Sequence, residues 1–164
     1  MQLSDFNAAS EADAIAALKP CLDIERWCAE LAAARPFNSM DDLVAAANRA
    51  ANPLTPAEVD QALSHHPRIG ERAEGEHKEA TLSRAEQSGL GDLSGDTAEK
   101  LAKGNAAYEE KFDQVFLIRA AGRSKEEVLS ELERRMNNTA EEESAECADQ
   151  LRQIAVVRLE GLFS

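Results

Sequence analysis

Three residues have the type and position to do chemistry: His66, Glu86 and Arg158. The stretch from Ser64 to Leu90 holds all three histidines of the chain and reads Ser-His-His-Pro-Arg-Ile-Gly-Glu, a charged span, then Ser83-Arg84-Ala85-Glu86-Gln87-Ser88-Gly89-Leu90. Imidazole titrates near neutrality and a partly buried carboxylate can be tuned toward it, so His66 and Glu86 at the ends of two helices would make an acid/base pair. A guanidinium at Arg158 would add a fixed positive charge, suited to a small, oxygen-rich anion. The structural alternatives are a histidine that caps a helix or fills the core edge, and an arginine satisfied by a buried carboxylate.

These side chains need elements to hold them. Thr55-Pro56-Ala57-Glu58 supplies an N-cap Thr, a Pro at the first helical position and a Glu at the third, so a helix is expected to start there. Its apolar stripe is Val59, Ala62, Leu63, and the next position on that stripe is His66, with Pro67 ending the helix. Glu86 falls on a second short helical pattern, one turn after Ser83 and beside Gln87. Arg158 interrupts the stripe Leu151, Ile154, Ala155, Leu159, Leu162 of a last helix opened by Thr139-Ala140-Glu141-Glu142. A guanidinium there must be paired or must face a cavity, because burying it alone is costly.

The remaining patterns are also helical. Residues 4–9 suit a short turn of helix, and Ser10-Glu11-Ala12-Asp13 opens a helix through Leu18 that Pro20 ends. Ile24, Trp27, Cys28 and Leu31 recur at helical spacing before Pro36. Ser39-Met40-Asp41-Asp42 opens a helix with Leu43, Val44 and Ala47 inward. Asp96-Thr97-Ala98-Glu99 is a capping signal for a longer helix with Leu101, Asn105, Tyr108 and Phe112 on one face. Val115-Phe116-Leu117-Ile118 is either the buried end of that helix or an extended link. Ser124-Lys125-Glu126-Glu127 opens another, with Val128, Leu129, Leu132 and Met136 inward. Gly70 to Lys78 has no apolar face and reads as a solvent-facing loop able to close over a site. The expectation is an all-α, single compact domain over residues 1–164 with seven to eight helices. An apolar content carried largely by Ala and Leu, with 4% aromatics, agrees with it.

Thirty-one acidic against eighteen basic residues give a formal charge of −13, which excludes nucleic acid and anionic membranes as expected partners. Three cysteines without a CxxC pair fit reduced thiols in a cytoplasmic protein. His65 and His66 would point about 100° apart on a helix, which disfavours a shared metal.

Taken together, these residues resemble the 2-oxo-4-hydroxy-4-carboxy-5-ureidoimidazoline (OHCU) decarboxylase family. The resemblance begins at Phe6-Asn7, passes through Trp27 and Arg35-Pro36-Phe37, and is most specific at His66-Pro67-Arg68-Ile69-Gly70. It continues at Ser83, Glu86-Gln87 and Gly89-Leu90, then at Asn105, Tyr108, Lys111-Phe112 and Gly122-Arg123-Ser124, and closes with Ile154 and Arg158-Leu159. It implies catalytic roles for His66 and Glu86. It also implies substrate contacts from Pro67, Ser83, Gln87, Arg158 and the backbone at Phe116 and Ile118. No metal or organic cofactor is implied; the ligand is a small anionic ureide, the product (S)-allantoin, and the assembly a homodimer. After Lys111-Phe112, where the family often carries Gly-Phe-Pro, this chain has Asp113-Gln114-Val115. Two other classes compete: a helical binding or scaffold protein in which His66 and Arg158 are structural, and a metal-dependent ureide hydrolase using the histidines with Glu71 or Glu86.

Overall fold

A computed structural model describes residues 1–64, 66, 82, 85–88, 90 and 95–163. Among them there is no strand, and eight helices are described from end to end: α1 (Leu3–Ala8), α2 (Glu11–Leu18), α3 (Glu25–Ala33), α4 (Met40–Ala50), α5 (Pro56–Leu63), α6 (Asp96–Phe112), α7 (Lys125–Arg135) and α8 (Ala140–Leu162). Residues 85–88 are also helical. None of the described helices is long and apolar enough to cross a membrane.

Helix starts follow the capping residues closely. Ser10, Ser39 and Ser124 each accept the backbone N–H three residues on, at Asp13, Asp42 and Glu127. Thr55 and Glu58 cap each other reciprocally, the Thr55 N–H donating to the Glu58 carboxylate at 2.9 Å and the Glu58 N–H to the Thr55 hydroxyl at 3.2 Å. Thr139 and Glu142 repeat that exchange at the start of α8.

The structure corrects the sequence expectation at several places. Asp96 is the first residue of α6 rather than its cap; the cap is Gly95, held at φ +91°, a backbone setting that favours glycine. On α4 the inward residues are Leu43, Ala46 and Ala47, whereas Val44 is half-buried. Leu162 on α8 is likewise only half-buried. Most important here, α5 stops at Leu63, so His66 lies beyond the helix instead of on its stripe. The physical reason is Pro67 itself, which disfavours helical geometry at the residue before it and forces the turn to come earlier.

The chain falls into two units, Met1–Ala62 with Leu151–Ser164, and Leu63–Gln150. In the first, Phe6, Leu18, Trp27, Leu31 and Leu43 are buried, and Trp27 Nε1 donates to Ala47 O at 3.0 Å, which ties α3 to α4. Asn7 exchanges two 2.9 Å hydrogen bonds with the backbone of Phe37. Arg35 donates to the carbonyls of Ala32, Phe6 and Ala9, its guanidinium 5.5 Å from the Phe6 ring centroid. Two resemblance segments, Phe6-Asn7 and Arg35-Pro36-Phe37, therefore form one packed corner. In the second unit Leu90, Leu101, Tyr108, Phe116, Ile118, Ala120, Val128 and Leu132 make the core, with Phe112, Leu129 and Met136 packed against it.

Candidate active site

His66 sits one turn past the end of α5. Its N–H donates to Leu63 O at 3.1 Å and the residue is half-buried. A position outside the helix frees the imidazole from helical side-chain geometry, and half-burial leaves it reachable by a solute while partly shielded from water. Glu86 and Gln87 are also half-buried, on the helical stretch 85–88. That stretch is anchored at its end: the Leu90 N–H donates to Gln87 O at 3.0 Å, and Leu90 is part of the second unit's core. Pro67, Ser83 and the 70–78 loop lie outside the described residues.

Phe116 and Ile118 are brought into the same core as Leu90. Val115 to Ile118 is not the buried end of the helix but a link outside it, with Phe116, Ile118 and Ala120 entering one core at a spacing of two, as an extended link would place them. α6 ends at Phe112, Asp113 takes the left-handed conformation at φ 55°, and residues 115–120 run without helix or turn. Asp113 thus stands at the point where a glycine would be easiest to accommodate. Arg158, a residue of the first unit, is 5% exposed and donates from Nη1 to Pro20 O at 2.8 Å.

Sequence reasoning missed a buried polar cluster in the second unit. Arg135 and Glu143 form an ion pair with both side chains 1% exposed. Arg135 Nε donates to Glu143 Oε1 at 2.9 Å, Nη2 donates to the same oxygen, and Nη1 donates to Leu117 O at 2.8 Å. The Tyr108 hydroxyl donates to Glu143 Oε1 at 2.6 Å and accepts from Gln114 Nε2 at 3.0 Å. Two signals for this cluster were present. Glu143, Cys147 and Leu151 are spaced i, i+4, i+8, so the α8 stripe extends backward onto a carboxylate, and Arg135 lies seven residues after Val128 on the inner face of α7.

The electrostatics of the cluster assign it to structure. Burial pushes the Tyr108 hydroxyl well above its usual range, and neighbouring Cys147 and Glu143 push the same way, so it stays a neutral donor. Burial pulls against the charge of Arg135, but the Glu143 hydrogen bonds and the charge of that carboxylate outweigh it, and the guanidinium stays protonated. Burial raises the Cys147 thiol against the opposing pull of Arg135, and burial pushes Cys28 up to about 12. Neither thiol is a ready nucleophile. Among the described residues no three His, Cys, Asp or Glu side chains converge as metal ligands. Among the described residues of the second unit, His66 and Glu86 are half-buried, outside this cluster.

Comparison with known proteins is consistent across sequence and structure. The family model for OHCU decarboxylase matches residues 7–160. The chain is 31% identical over 140 residues to the 2-oxo-4-hydroxy-4-carboxy-5-ureidoimidazoline decarboxylase of Haloferax volcanii, covering 84% of this chain and 82% of that protein. It is 30% identical over 146 residues to the protein of the same name from Amia calva, covering 85% and 83%. A crystal structure of OHCU decarboxylase in the presence of (S)-allantoin superimposes with a TM-score of 0.75 over 94% of this chain and 99% of the other. At 24% identity that last likeness is one of fold.

Proposed function

The chain belongs to the OHCU decarboxylase family, and from that premise we propose that it converts 2-oxo-4-hydroxy-4-carboxy-5-ureidoimidazoline to (S)-allantoin in urate degradation, with His66 and Glu86 as its acid/base pair. One observation carries the reading: the family match over residues 7–160 encloses the His66-Pro67 element and Glu86-Gln87 in one span. Half-burial of His66, Glu86 and Gln87 supports their roles.

The substrate explains why these few groups suffice. Its ring carries a hydroxyl and a carboxylate on one carbon, and breaking the carbon–carboxylate bond releases carbon dioxide. The bonding pair stays on the ring, where the neighbouring carbonyl or imine takes it up as an enolate-like species. No external electron sink is required, which supports a cofactor-independent reaction. His66 manages the proton of the hydroxyl or carboxylate, and Glu86 orients the imidazole or receives the ureido N–H groups. Arg158 supplies positive charge to an anionic or carbonyl part of the substrate, Ser83 and Gln87 supply hydrogen bonds, and Pro67 fixes the imidazole. Main-chain groups at Phe116 and Ile118 contact the substrate. Protonation from one face of the ring then yields a single enantiomer. The cysteine usage supports a cytoplasmic setting, and the family resemblance supports a homodimer.

The test starts from urate, with uricase and 5-hydroxyisourate hydrolase generating the substrate in place, and follows optical activity by circular dichroism. Rapid appearance of the (S) enantiomer is expected, in place of the slow racemic product of spontaneous decay. His66→Ala is expected to return the reaction to that slow racemic course with helical content intact. Normal turnover by that variant removes His66 from the mechanism.

A further inference from the structure

The pair of Arg135 and Glu143 takes no part in the acid/base chemistry, yet a wholly buried ion pair is kept at a desolvation cost. Its placement shows what it holds. The 115–120 link has no strand partner among the described residues, so its backbone groups must find other partners. Arg135 Nη1 donates to Leu117 O at 2.8 Å, and Gln150 Oε1 accepts the Arg119 N–H at 2.8 Å. Side chains seat the link as well: the Arg135 guanidinium carbon lies 4.5 Å from the Phe116 ring centroid, and the Tyr108 ring meets Phe116 edge-on at 5.1 Å. Tyr108 and Arg135 are themselves joined through the one oxygen, Glu143 Oε1.

The register of these two bonds matters. In extended backbone, successive residues turn their amide groups to opposite sides, so Leu117 and Arg119 face one way and Phe116 and Ile118 the other. Phe116, Ile118 and Ala120 recur in one core at the period of two that extended backbone gives, and both bonds fall on the Leu117 and Arg119 side. On that register the backbone groups of Phe116 and Ile118 point away from the Arg135 and Gln150 anchors.

We propose that Arg135, neutralised by Glu143 and aided by Gln150, is a positioning residue that fixes the 115–120 link so that the backbone of Phe116 and Ile118 faces substrate. The inference rests on the functional reading above. It makes the buried pair a determinant of substrate affinity, with no direct contact to the reacting atoms.

Two disruptive variants and one restoring variant test it without stranding the Arg135 or Glu143 charge. Arg135→Met combined with Glu143→Leu replaces the pair by apolar groups of similar volume, an exchange folds often tolerate. Gln150→Leu removes only the acceptor for Arg119, and Gln150→Glu restores one. Hydrogen exchange of the peptide covering 115–120 is expected to speed up in the double variant and in Gln150→Leu, and to return toward wild type in Gln150→Glu. In the coupled urate assay KM is expected to rise roughly tenfold, with kcat changed by less than about twofold, the pattern of lost ground-state binding. Unchanged exchange overturns the clamp. Faster exchange with an unchanged KM overturns the substrate role while the decarboxylase reading stands. A wild-type protein that does not accelerate the reaction overturns the functional reading, and the exchange data then judge the clamp separately.

Discussion

Two arginines buried to nearly the same depth end on different acceptors, Arg158 at 5% exposure in the first unit and Arg135 at 1% in the second. Arg158 donates to the carbonyl of Pro20, while Arg135 divides its donors between the carbonyl of Leu117 and the carboxylate of Glu143. A bond to a carboxylate orients a guanidinium and cancels its charge, and a bond to a carbonyl orients it without doing so. On the proposed function Arg158 serves the substrate and Arg135 the fold, and burial of similar depth does not separate the two roles.

The comparison can be broken most forcefully at Glu143. Glu143→Ala strands the Arg135 charge inside the second unit and is expected to cost about 3–5 kcal/mol, read as a large fall in the thermal or urea midpoint. A variant within about 0.5 kcal/mol of wild type would mean that the pair contributes little to the fold. Arg158→Gln is expected to show the opposite profile. Its kcat/KM in the coupled assay should drop roughly 100-fold, near 3 kcal/mol of transition-state stabilisation, with a smaller stability loss than Glu143→Ala. Equal losses of stability in the two variants would erase the distinction.

A smaller change sharpens the structural side. Tyr108→Phe deletes the hydroxyl that donates to Glu143 and is expected to cost about 1.5 kcal/mol, because Arg135 still satisfies the carboxylate. The smallest effect belongs to the exposed counterpart, Arg26 with Glu58, where Arg26 is 40% exposed and the pairing distance is 2.8 Å. Arg26 hydrogen bonding, with help from Thr55, holds the Glu58 carboxyl below its usual range. Its folded value thus lies under its unfolded one, so the contribution is present at neutral pH and disappears as pH falls through the folded value. The stability gap between wild type and Arg26→Ala should be at most about 1 kcal/mol at pH 7, given solvent screening, and should close in acid.

The parts of the fold that rest on neighbouring residues could be read directly. Thr55 with Glu58 and Thr139 with Glu142 announce reciprocal caps that the structure contains, and Ile24, Trp27, Cys28 and Leu31 are all buried as their spacing requires. The family resemblance, with its activity, was carried by motifs spread from Phe6 to Leu159. What resisted reading depends on the third dimension. Arg135 and Glu143 continue the inward stripes of α7 and α8, but charged residues near helix ends are ordinarily solvated, and the partner that makes each burial tolerable lies on another helix. Periodicity puts His66 at the next position of the α5 stripe with Pro67 ending the helix, whereas the helix stops earlier, at Leu63, because the restriction before a proline reaches back to His66. A partly buried carboxylate at Glu86 agrees with its short helical pattern, whereas His66, expected to face the core, is half-buried.

Gly104 on α6 lies directly against Leu132 of α7, so a methyl group added there would collide with the leucine side chain. Volume at this crossing is shared between two positions 28 residues apart, subtracting 104 from 132. Enlarging one without shrinking the other overpacks the crossing, and shrinking Leu132 alone leaves a hole. Descendants of this chain that exchange either residue should therefore carry a compensating change at the other, and the passage between such pairs runs through a disfavoured single mutant. A missing side chain thus acts as a constraint on inheritance, recorded in two positions at once.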